Sequence, residues 1–112
     1  MIKGVSSLKE LTSVEEFKEV IEQQNEFVLL KHSLTCPISG EAKSQIEEFI
    51  SANEVPTYII PIQNYRELSN YVAVFFGIKH ESPQVFYIKN GQVEFHTSHW
   101  HITRSKMEEV TK

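Results

Sequence analysis

The chain has 112 residues, of which 40% are hydrophobic and 23% charged, and its net charge is -4. This composition is typical of a folded globular protein rather than a disordered one, and the length allows about two thirds of the unfolded surface to be buried. The acidic charge, without any basic run, argues against nucleic acid as a partner. We expect one domain over residues 1–112.

The same composition bears on the compartment. The only cysteine is Cys36, so the 112 residues form no internal disulfide, which suits a reducing cytosol. Residues 1–10 lack an apolar stretch of signal-peptide length, and the longest apolar runs are far too short to cross a membrane. We therefore expect a cytoplasmic protein with no membrane partner.

Helices and strands are predicted to alternate through the first half of the chain. Residues 12–24 show helical periodicity, with Ser13 as N-cap and Glu16 at the capping-box position. Residues 26–33 form a compact apolar run typical of a buried strand. Pro37 suits the first position of a second helix, and residues 55–63 favour the next strand. The second helix would bury the stripe Ile38, Ala42, Ile46, Phe49 and Ile50.

The second half predicts a helix, a hairpin and a final helix. Residues 64–77 indicate a helix that ends at Gly77. Two alternating runs within residues 83–98 flank Asn90-Gly91, a pair that favours a two-residue hairpin turn. Residues 102–110 close the chain as a short helix, and residues 5–11 can add a short first strand. Strands separated by helices should pair in parallel, which predicts a mixed sheet covered by helices.

Cys36 lies at the predicted junction between a strand and the first turn of a helix. Ligands bind at this edge of α/β sheets, and the helix N-terminus should lower the thiol pKa below its free value of about 8.5. The larger thiolate fraction is partly offset by lower nucleophilicity, which leaves a rate gain of about three- to fivefold. Ser39 stands where a dithiol motif has its second cysteine, so a thiol from outside the chain must resolve any disulfide on Cys36.

Two interpretations stay open on these residues alone. An inert, buried Cys36 fits its position as well as a reactive one, because cysteine is among the most often buried residues. The histidines His96, His99 and His101 suggest a metal site, but no carboxylate or second cysteine completes a familiar ligand spacing. A surface loop around a packed Trp100 is the favoured interpretation of that segment.

Two stretches carry a family resemblance: residues 35–39, "TCPIS", after an apolar strand, and residues 81–92, "ESPQVFYIKNGQ". Together they resemble the thioredoxin superfamily, specifically the monothiol bacilliredoxins of the YtxJ type. The resemblance implies an α/β thioredoxin-like fold, with a mixed central sheet, a C-terminal antiparallel hairpin and helices on both faces. It also implies that Cys36 is the nucleophile and that Pro83 follows a cis peptide bond. The supporting site residues that it implies are Thr35, Pro37, Ser39, Ser82 and Pro83.

The activity implied by the resemblance is removal of bacillithiol from mixed disulfides on cytosolic proteins. Bacillithiol would be a co-substrate, with no tightly bound cofactor and no metal, and a low-molecular-weight thiol would complete the cycle. The chain lacks the C-x-x-C motif after tryptophan, which argues against dithiol reduction. Bacillithiol carries an anionic malate, so a cation near Cys36 would help binding. Four residues are candidates, although a plain surface charge is the favoured interpretation of each: Lys31, Lys43, Arg66 and Lys79.

Other functions remain compatible with this sequence. One is a thioredoxin-like binding module that docks partner proteins, or that holds an iron–sulfur cluster through Cys36 and a small thiol. Another is a structural domain whose cysteine is inert.

Overall fold

Helices and strands alternate along the chain in the predicted order. The computed structural model describes residues 8–35 and 37–111. The strands are β1 Leu8–Glu10, β2 Glu26–His32, β3 Thr57–Pro61, β4 Gln84–Lys89 and β5 Gln92–Ser98. The helices are α1 Val14–Gln23, α2 Pro37–Ile50, α3 Arg66–Phe76 and α4 Arg104–Thr111. The predicted first strand is confirmed over Leu8–Glu10, and residues 5–7 of that prediction lie outside the described residues.

The strands form one mixed sheet in the order β1-β3-β2-β4-β5. The central strand β2 pairs in parallel with β3 and antiparallel with β4, and β4 and β5 form the predicted hairpin. Its turn residues Asn90 and Gly91 have φ angles of 54° and 78°, so the Asn-Gly signal was read correctly. The mixed sheet with a C-terminal hairpin is therefore confirmed.

Helices cover both faces of the sheet, also as predicted. The face of α2 and α4 buries Val28 and Leu30 of β2, whereas the face of α1 and α3 buries Phe27 and Leu29. This alternation along β2 directs successive side chains to opposite cores. Within the described ranges, no helix combines the length and apolar character that crossing a bilayer requires.

The helix ends follow the local signals. The Ser13 hydroxyl accepts a hydrogen bond from the Glu16 amide, and Gly77 ends α3 with a φ angle of 67°. The Glu16 carboxylate reaches back to the Thr12 amide at 2.8 Å, one residue before the cap. This backbone hydrogen bond from Thr12 is the largest cause of the lowered pKa of Glu16.

Candidate active site

The end of β2 and the start of β4 meet at one edge of the sheet. Lys31 pairs with Gln84, so the chain that leaves β2 toward Cys36 lies beside the chain that enters β4 after Pro83. Cys36 itself lies outside the described residues, and its neighbours on both sides, Thr35 and Pro37, are described. The site is therefore built from the groups around that position.

A turn of residues 33–35, called here the 33–35 turn, precedes Cys36 and is held by one side chain. The Gln63 carbonyl oxygen accepts a hydrogen bond from the Leu34 amide at 2.9 Å. The Gln63 amide nitrogen donates to the Ser33 hydroxyl at 2.9 Å and to the Thr35 hydroxyl at 3.3 Å. Sequence reasoning missed Gln63, although its place at the end of the predicted third strand put it near the ligand-binding edge.

Ser39 connects this turn to α2. Its side chain is fully buried, and its hydroxyl oxygen accepts a hydrogen bond from the Ser33 amide at 3.2 Å. Pro37 is the first residue of α2, as predicted, and is exposed. Ser33 thus contacts both Thr35 and Ser39, which lie on the two sides of Cys36 in the sequence, while Pro37 follows Cys36 directly.

The Ser82-Pro83 peptide bond is cis, as the resemblance implied. The Ser82 hydroxyl is buried and has no hydrogen-bond partner within the described residues. The Pro83 carbonyl accepts a hydrogen bond from the His99 amide at 3.0 Å. The buried Gln84 side chain donates to the Lys79 carbonyl at 3.0 Å and accepts from the Glu81 amide at 3.3 Å, which holds the loop before Pro83.

Lys31 is buried completely, so its interpretation as a surface charge is wrong. It extends from β2 toward α3, where its ammonium donates to the Ser69 carbonyl at 2.9 Å. The His80 Nδ1 atom lies 3.1 Å from the same ammonium, and the Phe86 ring lies beneath it. Burial lowers the pKa of Lys31 from 10.5 to about 8, because a charged amine loses its hydration. In this position the ammonium contacts protein groups rather than a ligand in solution.

His80 connects Lys31 to the loop before Pro83. Burial lowers the pKa of His80, and the positive charges of Lys31 and Arg66 lower it further. Because the Lys31 ammonium can only donate, Nδ1 of His80 accepts, and we assign the ring proton to Nε2. Arg66 starts α3 and Lys79 lies in the loop, and both side chains are exposed.

His32 points to the opposite face of β2 from Lys31. Its Nδ1 atom is buried and has no hydrogen-bond partner within the described residues. Burial lowers the pKa of His32, and the charge of Lys43 adds to this effect. Both residues line a cleft of about 480 Å³ that reaches Leu34, and the Lys43 ammonium lies 4.0 Å from the Glu47 carboxylate.

The histidine-rich segment forms no metal site in the part of the chain that is described, where no three potential ligands group together. His99–His101 is a single 3₁₀ turn, and His96 lies beside the Phe86 ring. The expectation of a packed Trp100 is wrong, because 66% of this residue is exposed. His99 Nδ1 lies 3.4 Å from the Glu81 carboxylate, which also accepts from the Ser98 hydroxyl, so this turn borders the Ser82-Pro83 peptide.

Comparison with known families identifies the chain. The model of the monothiol bacilliredoxin BrxC matches residues 9–107. The chain belongs to this family. A solved structure described as a candidate oxidoreductase with a thioredoxin fold is 36% identical, covers 98% of this chain and 96% of its own, and has a TM-score of 0.90. The family and this likeness support a thiol redox function and confirm the thioredoxin-like fold.

More distant structures share the fold alone. Thioredoxin from Malassezia sympodialis is 18% identical, with a TM-score of 0.77 and coverage of 99% of this chain and 94% of its own. Mitochondrial thioredoxin 3 from Saccharomyces cerevisiae is 16% identical, with a TM-score of 0.75 and coverage of 91% of both chains.

Proposed function

We propose that the protein removes bacillithiol from mixed disulfides on other proteins. The Cys36 thiolate attacks the bacillithiol sulfur of the mixed disulfide. A new disulfide forms between Cys36 and bacillithiol, the old disulfide breaks, and the client cysteine leaves as a thiolate with the electron pair. A low-molecular-weight thiolate then attacks the bacillithiol sulfur of this intermediate. A disulfide forms between the two small thiols, the Cys36–bacillithiol disulfide breaks, and Cys36 leaves as the thiolate.

The observation that carries this proposal is the match to the monothiol family over residues 9–107, a range that includes the chain's single cysteine. Ser39 occupies the position of a second cysteine, and its oxygen is engaged by the Ser33 amide. A hydroxyl cannot take part in disulfide exchange, so the intermediate persists until an external thiol arrives.

On the side of the Ser82-Pro83 peptide, the site offers a hydrogen-bonding group to a peptide or thiol ligand. The buried Ser82 hydroxyl has no partner within the described residues, and a hydroxyl there can donate to an incoming acceptor. For the malate carboxylates of bacillithiol we propose Lys43 among the four predicted cations, because the cleft that it lines with Glu10 and Glu47 reaches Leu34 of the 33–35 turn. Arg66 and Lys79 are exposed alternatives, whereas Lys31 is buried.

The proposed setting is the cytoplasm, where thiols are kept reduced and a lone cysteine can cycle. The proposed partners are bacillithiolated cytosolic proteins and a small thiol that resolves the intermediate.

The test uses a purified protein that carries bacillithiol on one cysteine. Wild-type protein should release that thiol and gain one bacillithiol on Cys36, as seen by mass spectrometry, and Cys36→Ala should do neither. Ser39→Cys should shorten the lifetime of the Cys36 adduct, because a second thiol is then available in the same chain. Release by Cys36→Ala, or a coloured protein with cluster absorbance and no release activity, contradicts the proposal.

A further inference from the structure

We propose that Gln63 is a positioning residue that fixes the 33–35 turn and favours the thiolate form of Cys36. The proposal rests on the proposed role of Cys36 as the reacting thiol. It names a residue in the turn after β3 that acts through Ser33, Leu34 and Thr35, without contact to the substrate.

The hydrogen bonds of Gln63 require a primary amide. Its oxygen accepts from the Leu34 amide, while its nitrogen donates to the hydroxyls of Ser33 and Thr35. Among uncharged side chains only Asn and Gln carry an acceptor and two donors on one group, and Gln has the longer reach. One side chain therefore contacts all three residues before Cys36.

Gln63 is itself held on a fixed support. The amide before it, from Ile62, donates to the His32 carbonyl at 2.9 Å, and the amide after it, from Asn64, donates to the Pro61 carbonyl at 3.1 Å. The Gln63 backbone is thus tied to the ends of β2 and β3. A turn bound to such a support is preorganised, so no ordering is needed when a thiolate forms.

The direction of these hydrogen bonds matters for the charge on Cys36. A hydroxyl oxygen that accepts from an N–H group keeps its own hydrogen for another acceptor. The oxygens of Ser33 and Thr35 accept from Gln63, and the Ser39 oxygen accepts from the Ser33 amide. The Ser33 and Thr35 oxygens also lie 3.5 Å apart, so one of these hydroxyls can donate to the other. The remaining hydroxyl and that of Ser39 can then donate to an anion, and donation to the charged form lowers a pKa.

The experiment measures the rate of Cys36 alkylation by iodoacetamide from pH 5 to pH 10 in the full-length protein. In Gln63→Ala the hydroxyls lose their donor, and we expect the pKa of Cys36 to rise by about half a unit to one unit. Gln63→Glu keeps the bond from Leu34 but reverses both hydroxyl bonds and adds a negative charge, so the rise should be larger, about one to two units. Asn64→Ala, at the neighbouring exposed position, is the matched control and should leave the pKa unchanged.

The relative size of the pKa rise in Gln63→Ala and in Gln63→Glu distinguishes a positioning role of Gln63 from a purely structural one. If Gln63 only stabilises the fold, the isosteric Gln63→Glu should disturb the thiol less than Gln63→Ala. Equal pKa values in wild type and both variants, or a larger rise in Gln63→Ala than in Gln63→Glu, overturn the proposal. If wild type fails to release bacillithiol while the pKa still follows the expected order, the proposed function fails and the role of Gln63 stands.

Discussion

Two segments lie at the edge of the sheet where β2 ends and β4 begins, and they differ in the groups that contact them. The 33–35 turn is held by hydroxyls and the uncharged amide of Gln63. The loop of residues 78–83 is also held by an uncharged amide, that of Gln84, but it carries titratable contacts as well, of Lys31 with His80 and of Glu81 with His99. Titration of Lys31, whose pKa burial lowers to about 8, therefore changes a contact of the 78–83 loop and leaves those of the 33–35 turn intact.

This difference suggests a division of roles. The neutral turn keeps one geometry for the nucleophile over a wide pH range. The 78–83 loop carries the Ser82-Pro83 peptide and a buried hydroxyl without a partner within the described residues. It adjoins the buried Lys31 ammonium and offers an open hydrogen-bonding position at Ser82, a combination found where proteins bind other molecules. Substitutions in the two segments should therefore differ in sign and in pH dependence.

The largest effect is expected for Lys31→Met. The folded protein binds the Lys31 proton less tightly than the unfolded chain does, because the pKa falls from 10.5 to about 8. The unfolded state thus holds more protons between pH 8 and pH 10.5, so wild-type stability should rise with pH across that window. Below pH 8 the full free-energy cost of burying the charged ammonium is present. Lys31→Met should therefore raise the free energy of unfolding by about 2 kcal/mol at pH 7, after allowance for the lost hydrogen bonds.

Urea unfolding at pH 7 and pH 10 measures this effect. The exposed Lys79→Met is the matched control, and its free energy of unfolding should change little at either pH. A destabilised Lys31→Met at pH 7 would show that the buried ammonium contributes more through its contacts than its burial costs.

Gln63→Ala should be destabilising by about 1 kcal/mol, because it leaves the Leu34 amide without its side-chain partner. The groups that Gln63 contacts carry no charge, so in a Cys36→Ala background, where no thiol titrates, the loss should be the same at pH 6 and pH 9 in urea unfolding. If the destabilisation differs by more than about 1 kcal/mol between these pH values, the contacts of the 33–35 turn depend on pH, and the proposed difference between the two segments is contradicted.

Ser82→Ala should separate stability from function. Removal of a buried hydroxyl that lacks a partner within the described residues should raise the free energy of unfolding by about 0.5 kcal/mol. The KM for a bacillithiolated protein should rise, since the position open to substrate is lost. If the variant is destabilised with an unchanged KM, the hydroxyl is a structural group.

The smallest effect is expected for Glu81→Gln. The side chains of His99 and Glu81 are 44% and 42% exposed, and exposed ion pairs contribute less than about 1 kcal/mol. Thermal unfolding at pH 6 in low and high salt should show a small loss that salt removes. A large, salt-independent loss would mean that the Ser98 hydrogen bond to Glu81 dominates this contact.

The elements that depend on local signals were predictable. The Asn90-Gly91 turn, the end of α3 at Gly77 and the start of α2 at Pro37 each follow from a conformational preference of the residues themselves. The order of the apolar runs also predicted a mixed sheet covered by helices, and the family resemblance implied that the helices cover both faces. The cis bond before Pro83 came from the family resemblance, since the residues alone do not specify it.

The contacts of the site were less predictable because they join distant parts of the chain. Gln63 lies 28–30 residues from its partners in the 33–35 turn, and Lys31 lies 49 residues from His80. Lys31 interrupts a buried run, where a lysine is expected to leave the core. Trp100 was expected, from composition, to pack within a surface loop, whereas the 3₁₀ turn leaves it exposed.

The central claim is that Cys36 takes the bacillithiol group itself, and a single-turnover experiment tests it most directly. Reduced wild-type protein is mixed with one equivalent of a bacillithiolated peptide, without any other thiol, and intact masses are recorded after quenching with acid. We predict that the protein gains the mass of one bacillithiol on Cys36, with an equal amount of free peptide thiol. A protein that gains the mass of the peptide, or gains no mass while the peptide keeps its bacillithiol, would contradict the claim.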